Sequence, residues 1–464
     1  MKGWRIGWLW VLLLCIPVLL AAANNPGLLH DTDTIALIER IAERNDPLSW
    51  WAGDWPLFNH FYRPAVTMVF ELDRMLHPGS AAGYGFVNAV LCAGCVLALF
   101  WFLRELTDEM SVSMGAATLF AIWTVSPSFG ESLPIVGYVL AAAALIGALL
   151  RQNWVLAGLV VLLAIAVVPE LAGLERVRGG TMDWIPGRTA TTMTLFGFLA
   201  LAAYARYERL TARSSATEPT PFDIPATRSS TAAAAASKWT WLWVPGSFVL
   251  GALALASYEQ AVMLPALYLA VAVTFALMRR RPHWGVAISS WALVVGYLML
   301  RRAVLPPGVS QYQDQQLRQS LDVLLTLGDY VFPAAREIHV LIVQLDLGLM
   351  SVLITQASAM LTILAFFVAY PALGLALKKR WALRSEYAWL LAGYAMSFLA
   401  FLPMAWLKPF QSYNHYHYFS MGFRSLFAVM AVVVLARVAV TAASPRGRLA
   451  PARHAPALGS LPRP

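Results

Sequence analysis

Two aspartates, Asp31 and Asp33, stand a few residues beyond the first long apolar stretch of the chain, in LLHDTDTIALIERI. A carboxylate so close to hydrocarbon is poorly placed for solubility and well placed for proton transfer at a lipid surface. Either could act as a general base, taking the proton of a hydroxyl as its oxygen attacks an electrophile. The D-x-D spacing could also hold a divalent cation through oxygen ligands. A third reading is an N-cap, one aspartate accepting from the first turn of IALIERI. Asp33 is the first choice for the base, with Asp31 supporting it or binding a metal. Other ionisable residues recur along the chain: His60, Arg63, Glu131, Glu170, Asp183, Arg188, Glu259, Lys408, His415 and His417. Arginine and lysine bind anionic oxygens as fork and point charge, so Arg188, Lys408 and His415 are candidates for a phosphate. The H-x-H of His415 and His417 lacks two further convincing zinc ligands.

Long apolar helices must position these groups. Of 464 residues, 59% are hydrophobic and 13% charged, against about a quarter charged in a soluble chain. The apolar residues come in runs of roughly twenty, enough to cross a bilayer as a helix. Strand alternation is absent, so a β-barrel is not a serious rival. The sequence therefore predicts an all-α polytopic membrane protein. Its spans are Ile6–Ala23 and then about 84–104, 111–127, 133–150, 153–168, 188–206, 241–256, 261–278, 284–303, 351–377, 386–405 and 419–437, about twelve in all. The first run, opening with Lys2 and Arg5 and ending in small residues, also describes a signal peptide, but its length favours a retained anchor.

An even number of spans puts both termini in the cytoplasm. The basic clusters Arg279–Arg281 and Lys378–Arg380 then fall inside and the outer segments are net acidic, as the positive-inside rule requires. Residues 1–440 form the membrane domain. It contains a first outer loop at 28–83, a Ser, Thr, Pro and Ala-rich cytoplasmic linker at 208–240 and a second large outer loop at 304–350. Residues 441–464 read as a disordered basic cytoplasmic tail. Within the first loop, IALIERIAERN and VTMVFELDRML read as amphipathic helices lying in the interface. Trp50, Trp51 and Trp55 suit a headgroup belt. With this topology the ionisable residues named above share the outer side. Charges near apolar spans commonly line a water-filled cavity or substrate path. Glu175, Arg176 and Arg178 fit solvated loop charges better and are left out of any site.

Three cysteines cannot build a disulfide framework. Cys92 and Cys95 form a C-x-x-C inside an apolar run, where small packing residues are expected rather than a redox pair. The net charge of +9 comes from the inner loops and suits anionic lipid headgroups. No nucleic-acid-binding motif is visible.

Several stretches together resemble the GT-C superfamily of polytopic glycosyltransferases, its O-mannosyltransferase-like members most of all. HFYRPAVTMVFELDRMLHP followed by YGFVNAV is similar to the family's (Y/F)-x-R-P…G-(Y/F)-x-x-x-N pattern, WIPGRT to W-x-x-G-R-(T/S), SYEQAVMLP to S-K-E-x-A-x-x-L-P, and NHYHYFSMGF to R-Y-x-Y-L-P-S-x-G. Thr32 separates the two acids where the family often has adjacent ones, and Tyr258 precedes Glu259 where a Lys is common. The resemblance spans nearly the whole membrane region. It implies transfer of a sugar from a polyprenyl-phosphate donor, with a catalytic acid in the first outer loop, Asp33 or Asp31. By position, Arg63, Arg188, Glu259 and Tyr418 would line the cavity, beside Lys408, His415 and His417. The alternative is a transporter or flippase of a lipid-linked or anionic substrate using the same cavity. No inverted repeat of the kind many transporters carry is evident. A third class is a structural or assembly partner with an inactive cavity.

Overall fold

A computed structural model describes residues 2–22, 28–125, 133–172, 182, 184–215, 239–316, 372, 382–406 and 414–443. Lys408, Glu131, Asp183, Glu175, Arg176, Arg178 and the side chain of Glu170 lie outside the described residues, as do the predicted span 351–377, most of the 208–240 and 304–350 segments and nearly all of the tail. The described residues contain helices and no strand.

In chain order the helices are α1 (Lys2–Ala22), α2 (Thr32–Arg44), α3 (Pro64–Leu76), α4 (Ala81–Thr107), α5 (Met110–Val125), α6 (Leu133–Leu150), α7 (Trp154–Ala172), α8 (Arg188–Ser215), α9 (Trp243–Leu255), α10 (Leu264–Leu277), α11 (Trp284–Ser289), α12 (Trp291–Val304), α13 (Gln311–Gln316), α14 (Ala382–Phe401) and α15 (Asn414–Ala443). Among the described residues, five segments are long and apolar enough to cross a membrane: Ala81–Thr107, Glu259–Leu277, Trp284–Val304, Ser385–Trp406 and His415–Thr441. Shorter apolar helices accompany them, among them Ile6–Ala21, Met110–Val125 and Ile135–Leu150. The chain is thus an all-helical protein of membrane type.

Helices α4 and α15 are the hubs. α4 packs most closely against α8 and also meets α1 and α5; α15 packs against α14, α6 and α5. α1 shows how the sequence orients a helix that is apolar all round. Val11, Cys15 and Val18 are buried, while Leu9, Leu12, Leu13, Ile16 and Leu20 are exposed. The buried residues recur at spacings of four and three, one stripe of a 3.6-residue helix. Trp8 meets the ring of Phe100 at 4.9 Å and Trp10 donates to Thr118 at 3.0 Å. The α14–α15 contact requires a glycine. A Cβ on Gly393 would fall 2.6 Å from the backbone nitrogen of Phe427, so only a small residue permits this backbone approach.

Residues 28–80 fold as a cap on one end of the bundle, and here the structure corrects two expectations. α2 turns its apolar stripe inward rather than toward an interface. Leu37 and Ile41 bury against Trp50, Trp55, Val66, Phe70 and Ile185 in a small core of their own. Trp50 and Trp55 belong to that core and form no belt; Trp51 alone of the three is exposed. Each such large side chain contributes about 1.5–3 kcal/mol when it is taken out of water. α3 likewise buries Val66, Phe70, Glu71 and Asp73, leaving Leu72, Met75 and Leu76 exposed.

The opposite end is tied by charge. Glu105 of α4, fully buried, pairs with Arg206 at 2.9 Å and Arg209 at 2.6 Å, and Arg209 also reaches Asp108 at 2.9 Å. Glu208 accepts the His283 backbone N–H at 3.0 Å, and Arg437 pairs with Glu386. Buried acids of this kind are tolerated only because each is paired with a cation or hydrogen-bonded. Cys92 and Cys95 are free, buried thiols, the Cys95 thiol donating to the Thr191 carbonyl at 3.3 Å.

Candidate functional site

At the cap end a cavity of about 430 Å³ opens between the cap and the bundle. Its floor and walls come from segments far apart in sequence, so the hydrogen bonds that join them set its shape.

The first wall is the start of α2. Asp31 is the N-cap: its Oδ2 accepts from the backbone N–H of Thr34 at 3.0 Å and from the Thr34 hydroxyl at 3.1 Å. The same oxygen accepts from the Trp184 indole N–H at 3.0 Å, which ties α2 to the segment entering α8. Asp33, in the first helical turn, lines the cavity and stays open to solvent. Partial desolvation there, and secondarily the neighbouring Asp31 charge, raise its carboxyl above the ordinary aspartate value of 3.8. The two aspartates thus have different tasks, Asp31 anchoring the helix and Asp33 facing the cavity.

The second wall is the turn from Asp54 to Arg63. Asp54 accepts the backbone N–H groups of Trp55 at 2.7 Å and His60 at 3.0 Å, an Asx-type turn. Burial still raises the Asp54 carboxyl. This turn presents Phe61 and Arg63 to the cavity. Arg63 reaches Glu259 with Nε at 2.9 Å and Nη2 at 2.6 Å. Its guanidinium lies 4.0 Å from the centre of Phe61 and 4.7 Å from that of Tyr258. Arg63 is thereby a wall element that fixes Glu259, whose Oε1 is buried without a hydrogen-bond partner.

The Glu259 turn is itself anchored. Gln260 Nε2 donates to the carbonyls of Ala400 at 2.6 Å and Tyr416 at 2.9 Å, joining α14 and α15 to the site. His415 and Tyr416, at the start of α15, complete the lining; His415 packs 5.0 Å from Trp184 and 4.0 Å from Tyr416. Tyr416 stacks nearly parallel to Tyr258 at 6.2 Å. From α12 come Tyr297 and Arg301, and from α13 Tyr312.

Of the residues singled out in the sequence, the cavity brings together Asp33, Arg63, Glu259 and His415, with Asp31 behind them. Three others are elsewhere, against expectation. Arg188 is fully buried and pairs with Asp73 at 2.5 Å, while also donating to the Tyr84 carbonyl at 2.7 Å and to Asn88. It joins α8 to α3 and α4 and has no open face for a phosphate. Tyr418 is buried against Phe120 at 5.1 Å, two positions beyond the cavity-lining Tyr416. His417 stacks on Phe401 at 4.7 Å. Arg301, Trp184, Tyr258 and Tyr312 were not singled out as site residues from the sequence. Arg301 reads there as one of an Arg–Arg pair ending an apolar run, which carries no signal of a site. The W-x-x-G-R segment did point to the region of Trp184.

The arrangement offers a carboxylate base, aromatic walls suited to the C–H faces of a ring, and the cation Arg301. Asp31 Oδ2 already accepts from three donors, and among the described residues no three His, Cys, Asp or Glu side chains gather as metal ligands. A scan against protein-family models, a search of curated proteins and a search of solved structures find nothing that matches this chain.

Proposed function

We propose that the chain is a membrane glycosyltransferase of GT-C-like type. It moves a hexosyl or pentosyl unit from a polyprenyl-phosphate donor to an acceptor at the outer, periplasmic face of a bacterial inner membrane. About twelve helices cross the bilayer, with both termini in the cytoplasm. The observation that carries this reading is Asp33, a carboxylate with raised proton affinity, facing an aromatic-walled cavity at the end of apolar helices.

In the reaction, the acceptor hydroxyl gives its proton to the Asp33 carboxylate. Its oxygen forms a bond to the anomeric carbon, and the bond from that carbon to the phosphate oxygen breaks. The phosphate leaves with the electron pair and needs no proton from a carboxylic acid. Arg301 and His415 hold its charge. Glu259, oriented by Arg63, accepts from the sugar hydroxyls through its unpartnered Oε1. A carrier using the same cavity would need a route to the other end. The interior in that direction is occupied by the Tyr204–Tyr268 stack at 4.8 Å and the buried Glu105–Arg209 pair, which favours the enzyme.

The direct test is release of polyprenyl phosphate from a polyprenyl-phosphate sugar by the purified chain. Because the base must be ionised, turnover is expected to fall on acidification at a pH above 3.8, the ordinary aspartate value. Asp31→Asn keeps the cap and removes the neighbouring charge, so the acid limb should move to lower pH with little loss of maximal rate. An unmoved limb in Asp31→Asn would assign the titration to another group.

The topology has its own check. Glu43→Cys in α2 should react with an impermeant thiol reagent added to intact cells. Gln152→Cys, between α6 and α7, should react only after permeabilisation. The reverse pattern would place the cavity on the cytoplasmic face and remove the periplasmic assignment.

A further inference from the structure

A second cavity, of about 420 Å³, lies at the C-terminal end of α12. It shares Arg301 and Leu298 with the aromatic cavity. Its polar lining is His60, Arg301 and Arg302, closed by Leu305 and the Pro306–Gly308 turn, and it has no acidic residue in its wall. Neither arginine is ion-paired with an acid among the described residues, whereas Arg63, Arg188 and Arg209 each are. Arg301 Nη2 donates to the His60 carbonyl at 3.1 Å, while its Nε is buried without a hydrogen-bond partner.

His60 is held in place as a fixed part of this wall. Its backbone has a left-handed φ of 59°, uncommon for a residue with a side chain. Three bonds keep it there: its N–H donates to Asp54 at 3.0 Å, and its carbonyl accepts from Arg301 and from Gln313 Nε2, both at 3.1 Å. The ring Nδ1 is buried without a partner. Two guanidinium groups and an imidazole converge on a concave site whose described lining holds no acid, and the neighbouring Asp54 carboxylate is engaged with the His60 backbone N–H; this arrangement matches an anion with several oxygens.

Below this cavity the helix pair is apolar and, among the described residues, largely exposed. Trp284–Val304 is the least buried of the five long segments, at 22%. Ile288, Trp291, Val295 and Met299 are all exposed, at spacings of three and four that align them on one face. Arginines at the end of such a face lie at headgroup depth when the helix spans a bilayer.

We propose that this cavity binds the phosphate of an anionic phospholipid against Arg301, Arg302 and His60, with the acyl chains running along the exposed face of α11 and α12. The shared Arg301 makes the bound lipid a neighbour of the aromatic cavity, and occupancy of the two sites is then coupled. The proposal rests on the membrane reading of the chain and not on the transferase reading.

The test uses the full chain purified in a neutral detergent, with no sugar donor present. Phosphatidylglycerol is added, and phosphatidylcholine and inorganic phosphate are compared at equal phosphate. Phosphatidylglycerol should raise the thermal melting temperature by several degrees and be retained in native mass spectrometry. Phosphatidylcholine, whose ammonium meets the arginines, should do neither, and inorganic phosphate should have less effect because it lacks the acyl chains. Arg302→Gln should lose at least half of the shift and Arg302→Lys should keep most of it. His60→Asn, which tolerates a positive φ, should also lose binding and carries the test if Arg302→Gln does not fold. An equal shift from phosphatidylcholine overturns the charge recognition. An equal shift from inorganic phosphate overturns the lipid assignment. Full retention of the phosphatidylglycerol shift in both Arg302→Gln and His60→Asn overturns the site.

Discussion

Asp33→Asn is expected to express and fold as the parent does and to lose roughly a hundredfold or more in turnover. The substitution keeps size and polarity at a position whose side chain supports no other element; the α2 cap and the Trp184 tie both use Asp31. What it removes is the proton acceptor. The loss should appear in kcat, with KM for the donor nearly unchanged, because the base acts on the acceptor in the transition state. The paired Asp31→Asn variant distinguishes this from a general loss of negative charge. Asparagine caps helices as well as aspartate does, so Asp31→Asn should retain most of its activity. Asp31→Ala removes both the cap and the Trp184 partner, which costs about 1 kcal/mol of stability for the cap alone. If Asp33→Asn is nearly silent while Asp31→Asn abolishes transfer, the base has been assigned two positions too late. If neither matters, the carrier becomes the better account of the cavity.

Arg188→Ala is expected to be the most damaging single change to folding. It leaves the fully buried Asp73 without its cation, and breaking such a pair on one side costs about 3–5 kcal/mol. Arg188 also donates to Asn88 and to the Tyr84 carbonyl, so α3 and α4 lose their common partner on α8. Arg188→Lys should recover little, since one ammonium cannot reach three acceptors in fixed directions. Arg188→Met combined with Asp73→Asn should recover part of the stability, because it removes the uncompensated charge at its source. Thermal unfolding in detergent measures all three. A normal melting temperature in Arg188→Ala together with weakened donor binding would return this arginine to the phosphate role that its place in the W-x-x-G-R segment suggested.

These two residues show why a site read from sequence is sorted incorrectly. Asp31 and Asp33 are equivalent as text. In the helix they differ by about half a turn: the N-cap side chain folds back onto the first free N–H groups, while a residue two positions on points to another face. Arg188 and Arg63 likewise look alike, each in a motif beside an apolar run. One meets Asp73 in the interior and the other meets Glu259 at a cavity wall. Neither partner could be chosen from spacing, since Arg63 and Glu259 are 196 residues apart. The tryptophans of the cap failed as a belt for the same reason, because burial against α2 and α3 is a tertiary choice between two apolar environments.

The sequence by itself determined the class of the molecule, its helical content and the approximate positions of its apolar helices. Those properties depend on hydropathy and periodicity within one segment, which a backbone that must satisfy its own hydrogen bonds in lipid converts directly into helix. It also placed Asp33, Arg63, Glu259 and His415 among the candidates, because ionisable groups beside apolar runs are few. Only the tertiary structure decided which of these share a cavity, which arginine is locked in an ion pair and which, Arg301, faces open space. A charge's role is set by what lies within about 4 Å of it, and in this fold those neighbours come from other helices.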